Sequence, residues 1–219
     1  MKKLLYITAS PKPEELSSSR RVGRALVESL QKSEGSLTVE ELNLYHTTLP
    51  KLQYHYFSGR NTLITADMIM DLPQNEKDDL TQISRLSDQF VSADVVVLAS
   101  PMWSLSYPAA VKEYLDLIIT DGKTIAFEEE KPYGLLNDRK RVFVYVQSSG
   151  ASLPFFLRPI LNKGMSYVED IMKFLGFAHF YPLYVDGTGT TRDEEQTAIH
   201  EAVDKIPDLV GNVLHGIQD

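Results

Sequence analysis

The chain has 219 residues, of which 43% are hydrophobic, enough for a sizeable core and too many for disorder over any large part. A formal charge of −8, with scattered Lys and Arg, argues against a broad contact with a nucleic-acid backbone. The absence of cysteine excludes disulfides, thiolate metal sites and a thiol nucleophile.

The first apolar run, Leu4 to Ile7, is too short for a signal peptide, and the longest, around 95–111, is interrupted by Pro101, Pro108 and several serines. Neither reads as a membrane segment, and the expectation is a soluble cytoplasmic protein.

Residues 3–8 read as a strand, followed by a Ser/Pro-rich loop and a helix over about 20–32 in which Val22, Leu26 and Leu30 recur every four positions. Residues 37–42 alternate apolar and polar and read as a second strand nearer an edge. Residues 43–75 form a long irregular connection, with 62–70 helical by pattern; so long a connection is often functional or a partner contact. Residues 77–91 are helical, with Leu80, Ile83, Leu86 and Phe90 on one side.

Residues 94–99 are a strand apolar enough to be buried on both faces, as in a parallel sheet covered by helices. Pro108 suits the first position of the next helix, because its missing N–H would go unused there. Val111, Tyr114, Leu115 and Ile118 then mark the buried stripe. A fourth strand covers 141–147, a fourth helix about 158–174 and a fifth strand 180–185. The last helix opens at Thr191 with Glu194 three residues on, a capping box, and Pro207 should kink or break it. Five strands alternating with five helices predict a single α/β domain over 1–219, a doubly wound five-stranded parallel sheet of flavodoxin-like order 2-1-3-4-5 with helices on both faces.

Ligands of such sheets sit beyond the carboxyl ends of the strands. There the first loop holds Ser10, then Ser17, Ser18 and Ser19 directly before a helix. Free amides at a helix start, aided by hydroxyls, can wrap a phosphate; alternatively one serine caps the helix and the rest are solvated. The third strand runs into Pro101, Met102, Trp103, Ser104 and Leu105, which places the only tryptophan at a strand end and suggests a flat ligand. The fourth ends in Gln147, Ser148, Ser149 and Gly150, either an ordinary turn or a set of polar groups for the edge of a heterocycle.

Gly187-Thr-Gly189-Thr-Thr-Arg192 lacks the third glycine of a dinucleotide fingerprint and reads as a plain turn. The histidines are isolated, and His200-Glu201 has Asp204 where a metalloprotease helix needs its second histidine.

Taken together, the first-loop serines, Pro101-Met102-Trp103-Ser104-Leu105 and Phe174-Leu175-Gly176-Phe177 resemble the FMN-dependent NADH-azoreductases. These flavodoxin-like enzymes are also described as NADH:quinone oxidoreductases. Gly122-Lys-Thr-Ile-Ala-Phe127, followed by Pro132-Tyr-Gly134-Leu135, fits the same family. The resemblance implies that Ser10 and Ser17 to Ser19 hold the FMN phosphate. It also implies that Met102 to Leu105 line the isoalloxazine and that Gln147 to Gly150 meet its pyrimidine edge.

It further implies a homodimer with Phe127 and Phe177 closing the substrate pocket. NADH or NADPH would be the donor, a quinone or azo compound the acceptor, and one site used in turn gives ping-pong kinetics. No side chain stands out as a proton donor. Two departures concern Ser104, where the family usually has asparagine, and Ser149-Gly150-Ala151, where it has Arg-Gly-Gly or similar. A non-catalytic flavodoxin-like electron carrier is the first rival reading. A hydrolase of the acyl-carrier-protein phosphodiesterase label is the second, and it needs a nucleophile or metal that the sequence does not offer.

Overall fold

Five short runs rich in β-branched and aromatic residues form one parallel sheet. In the computed structural model, which describes residues 2–218 apart from the side chains of 155 and 159, these are β1 (Lys3–Thr8), β2 (Thr38–Asn43), β3 (Val95–Pro101), β4 (Val142–Ser149) and β5 (His179–Asp186). Their order is β2-β1-β3-β4-β5 and every pairing is parallel, the 2-1-3-4-5 arrangement expected from the sequence. Met1 and Asp219, counted in the 1–219 expectation, lie outside the described residues.

Strand alternation sends successive side chains to opposite faces. Leu4 and Tyr6 of β1, Val95 and Val97 of β3, and Val142, Val144 and Val146 of β4 pack with helices α1 (Ser18–Ser33), α5 (Arg192–Val203) and α6 (Ile206–Gly216). Leu5 and Ile7, Val96 and Leu98, and Phe143 and Tyr145 face α2 (Gln74–Ser92), α3 (Ala109–Ile118) and α4 (Lys163–Leu175). Each such aliphatic or aromatic burial is worth roughly 1.5–3 kcal/mol. The Val111, Tyr114, Leu115 and Ile118 stripe of α3 is buried as its spacing requires. No helix among the described residues is long and apolar enough to cross a membrane.

Several local expectations are corrected. The helix expected over 62–70 shrinks to one turn, Ala66–Ile69, because Thr62–Leu63 pairs antiparallel with Phe57–Gly59 around Asn61, which takes the left-handed φ of 56° that asparagine tolerates. The helix expected over 158–174 divides into Arg158–Leu161 and α4, since Asn162 leaves helical geometry and caps α4 by accepting from the Met165 N–H at 3.1 Å.

Pro108 precedes α3 as its cap residue, with an extended ψ of 148°. The final helix breaks into α5 and α6, Pro207 lying in the first turn of the second. The Thr191–Glu194 capping box forms as expected. A hairpin, Ile125–Glu128 with Lys131–Gly134, was not foreseen; Glu129 and Glu130 make its turn with φ of 47° and 66°.

The amino ends of β3 and β4 are fastened by a buried arginine. Arg141 has no exposed surface and donates from Nε to Ala93 O at 3.2 Å, from Nη1 to Leu136 O at 2.9 Å and from Nη2 to Val91 O at 2.9 Å. Its charge is met by Asp138 and by the carbonyl end of α2.

Replacement Arg141→Met should therefore strand several buried carbonyls and cost about 3 kcal/mol in urea unfolding. The Arg141 guanidinium holds the Asp138 carboxyl below its ordinary 3.8. For a lowered carboxyl the stabilisation is full above the unfolded value and is lost as pH falls through the folded one. The stability difference between wild type and Asp138→Asn should thus be present at neutral pH and close below about pH 3.8.

Candidate active site at the carboxyl edge of the sheet

The first turn after β1 is folded by its own polar groups. Ser10, 3% exposed, accepts the Lys12 N–H at 3.3 Å, and Arg20 Nη1 donates to Lys12 O at 2.8 Å, pulling residues 10–17 over the start of α1. Ser17 is the N-cap residue of α1 and makes no side-chain cap hydrogen bond. Its hydroxyl lies 3.4 Å from that of Ser19, and both are buried. The orphan N–H groups of a helix start are thus joined by spare hydroxyl donors, a set suited to an anion.

The opposite wall comes from the end of β3. Trp103 and Ser106 exchange backbone hydrogen bonds at 3.1 and 2.8 Å, closing a tight turn whose central residues, Ser104 and Leu105, have φ of 49° and 61°. Left-handed backbone at two successive non-glycine residues is costly and persists only where the surroundings hold it. Three ties do so here. Met102 N–H donates to Ser148 O at 2.7 Å, Gly164 N–H donates to Leu105 O at 3.4 Å, and the Tyr107 and Tyr167 rings meet at 6.0 Å.

Gly164 allows this closeness, since a Cβ there would stand 2.7 Å from Ser106 Cα. The indole of Trp103 is 46% exposed at the site.

Ser10, Pro11, Lys12, Ser17, Ser18, Pro101, Met102, Trp103, Ser148, Ser149, Gly150 and Thr188 line one cavity of about 210 Å³. A larger cleft of about 990 Å³ lies between residues 14–24 and 192–196, over the starts of α1 and α5. Its Arg24 is already consumed by Glu14 and Glu41 at 3.0 and 2.6 Å. Unspent donors and position favour the smaller cavity as the ligand site.

Most of the residues expected from the sequence converge there. Ser19 is buried directly behind the lining, and Ser104 and Leu105 form the rim through their turn. Three other expected residues, Gln147, Phe177 and Phe127, do not line this cavity. Gln147 is 1% exposed, its amide donates to the Tyr145 hydroxyl at 3.2 Å and its carbonyl accepts from Asn162, so the side chain does not reach the cavity. Phe177 is 6% exposed and packs against Phe90 and Phe143 at 5.7 and 5.8 Å, in the core near the amino end of β4, because it follows the C-terminal turn of α4. Phe127 lies half-buried on the Ile125–Glu128 strand under the Arg60 guanidinium and does not line the cavity.

Sequence reasoning missed Lys12, an exposed cation on the lining, and Thr188. The Gly187-to-Gly189 turn is a turn as read, but Thr188 is fastened to the site through its N–H and hydroxyl, both donating to Ser149 O at 3.0 and 3.1 Å. At Ser149, where the resemblance leads one to expect arginine, the hydroxyl donates to Ala151 O at 2.5 Å and lies 3.2 Å from Asp186 Oδ1. Asp186 in turn holds Arg158 at 2.8 Å, so a guanidinium reaches this corner from the one-turn helix Arg158–Leu161. Burial pushes the Asp186 carboxyl above the ordinary range, against the opposing pull of Arg158.

Comparison with known proteins agrees with this fold. Residues 2–209 match the family Flavodoxin_2, described as flavodoxin-like fold. An FMN-dependent NADH:quinone oxidoreductase of Ruminiclostridium cellulolyticum is 52% identical over 213 residues, covering 97% of this chain and 100% of that protein. One of the same description from Clostridium botulinum (strain Eklund 17B / Type B) is 47% identical over 214 residues, covering 97% and 100%.

Among solved structures, an azoreductase from Bacillus anthracis superposes with a TM-score of 0.78 at 23% identity, covering 97% of this chain and 100% of that one. A Bacillus anthracis FMN-dependent NADH-azoreductase in complex with FMN gives 0.78 at 24%, covering 96% and 100%. The chain belongs to the FMN-dependent NADH:quinone oxidoreductase family, on a flavodoxin-like fold.

Proposed function

We propose that the protein is an FMN-dependent oxidoreductase that passes two electrons from NADH or NADPH to quinones and azo compounds. The observation that carries this reading is the pairing, across one cavity, of a serine-and-amide cradle with a half-exposed indole on a strained turn. The donor set fits the cofactor, since an uncapped helix start with the Ser10, Ser17 and Ser19 hydroxyls suits a phosphate monoester, the Ser18 hydroxyl being held by Glu195, and Trp103 suits a flat ring. When bound, FMN supplies reversible hydride chemistry between a nicotinamide and a quinone or azo acceptor.

The protein's own contribution is binding and orientation. Lys12 adds a positive charge to the phosphate end. Pro101 to Leu105 fix the plane in which a ring can lie, and Ser148, Ser149 and Gly150 offer hydroxyl and backbone groups to its polar edge. The cavity is open beside Trp103, so donor and acceptor use the same face in turn and the kinetics are ping-pong.

That open side is apolar. Leu105 is 47% exposed and meets the Gly164 N–H at the start of α4, and the segment that leads into α4 carries Phe156 at 74% and Ile160 at 60% exposure. Covering it with a second copy completes the site, and Phe127 reaching in from that copy fits the pocket-closing role the resemblance gives it. We read the protein as one cytoplasmic domain acting as a homodimer. Among the described residues no group of three or more His, Cys, Asp or Glu side chains could hold a metal ion.

Incubated with FMN and desalted, the purified protein should stay yellow, oxidise NADH rapidly with benzoquinone and give parallel lines in double-reciprocal plots. Colourless protein would overturn the flavin reading, and a yellow protein without turnover would favour an electron carrier. Gly164→Ala should leave the fold intact but push α4 off the Ser106 turn, weakening FMN binding about tenfold in a fluorescence titration, equivalent to about 1.4 kcal/mol. Sedimentation equilibrium should give a mass near twice 24.7 kDa, and Ile160→Glu should shift it toward one copy.

A further inference from the structure

The phosphate end of the cavity has a wall that the proposed reaction does not use. Ser18, in the first turn of α1, lines the cavity, and its hydroxyl donates to Glu195 Oε1 of α5 at 2.6 Å. Glu195 in turn lines the larger cleft of about 990 Å³, together with Glu14, Glu15, Leu16, Arg21, Arg24, Arg192 and Gln196. The two spaces are neighbours along the chain as well, since Leu16 borders the cleft and Ser17 borders the cavity. One carboxylate and its hydrogen bond thus stand between the cradle and an open space that holds two arginines, Arg21 and Arg192, outside the Arg24 ion pairs.

A phosphate monoester needs no exit from the cradle. A flavin dinucleotide does, because one phosphate oxygen must continue to a second anionic phosphate and an adenosine. The route past Ser18 meets the Glu195 carboxylate, which obstructs it sterically and repels the second phosphate. Beyond it, Arg21 and Arg192 would favour such an anion, and the cleft is large enough for a nucleotide.

We propose that Glu195 is the specificity-determining residue that confines this protein to the mononucleotide FMN and excludes FAD. The proposal rests on the flavin reading above.

The test is fluorescence titration of flavin-free protein with FMN and, separately, with FAD. Wild type should bind FMN at least about a hundredfold more tightly than FAD. Glu195→Ala should narrow that ratio tenfold or more through tighter FAD binding, a change of about 1.4 kcal/mol. Glu195→Gln, which keeps the bulk and removes the charge, should give a smaller part of the gain. Adding Arg192→Ala to Glu195→Ala should return part of it.

A ratio unchanged in both Glu195 variants, or wild type binding FAD as tightly as FMN, overturns the proposal while leaving the flavin reading standing. Wild type that binds neither flavin overturns both.

Discussion

A buried chain of hydrogen bonds beneath the cavity fixes the relation among the parts of the site. The Ser100 and Tyr145 hydroxyls lie 2.8 Å apart, the Gln147 amide donates to Tyr145, the Asn162 amide donates to the Gln147 carbonyl, and Asn162 Oδ1 accepts from Met165 N–H at 3.1 Å. All four side chains are at most 2% exposed, so each unmade bond would leave a polar group stranded away from water, at about 1–3 kcal/mol. Burial pushes the Tyr145 hydroxyl up to about 12 against the pull of its two partners, so it remains a neutral hydrogen-bonding group through the physiological range. The chain ties the carboxyl ends of β3 and β4 to the first turn of α4. Only with α4 held there can Gly164 touch Ser106 and the Trp103 turn keep its left-handed pair.

The two ends of the cavity are built on different principles. At the phosphate end, an uncapped helix start and short hydroxyl side chains serve as donors, which need little motion to meet an anion. At the ring end the turn itself is under conformational stress, each left-handed residue costing about 1–2 kcal/mol. Asparagine adopts that conformation more readily than serine, which gives a physical reason for the residue usual in the family at position 104. The ties to Ser148 and Gly164 offset the stress. A ring seated against Trp103 would therefore meet a preformed surface rather than a loop that must order on binding.

The sheet was legible in the sequence because its signals are local. The apolar run at 94–99, the capping box at Thr191 and the break at Pro207 each follow from a few neighbouring residues. The site was legible only to the level of strand ends, since position along a strand does not say which way a side chain points. Gln147 shares the odd-numbered face of Phe143 and Tyr145, which packs on α2 to α4, so its amide turns down into the network.

Ser148, on the other parity, faces the cavity. The same limitation hid Thr188, whose role depends on β5 ending beside β4. Phe177 was misplaced for another reason. A motif carries its residues' order but not the end of the sheet to which a helix returns, and α4 returns its last turn to the amino end of β4.

Volume alone would favour the larger cleft. In the larger cleft Arg24 spans Glu14 and Glu41 and lies 5.0 Å from the Tyr6 ring, while Arg21 donates to the neutral Gln196 at 3.2 Å and keeps its charge. Opposite charges paired at a wet surface offer little net attraction to a further ligand. The smaller cavity differs in chemistry, because the Ser17 and Ser19 hydroxyls have only each other, the α1 start is uncapped and Lys12 is exposed on the rim. In a protein of charge −8, a phosphate must find local donors that outweigh the overall repulsion. Hydrogen-bonding capacity left unspent at the carboxyl ends of β1, β3 and β4, rather than space, is what marks the site.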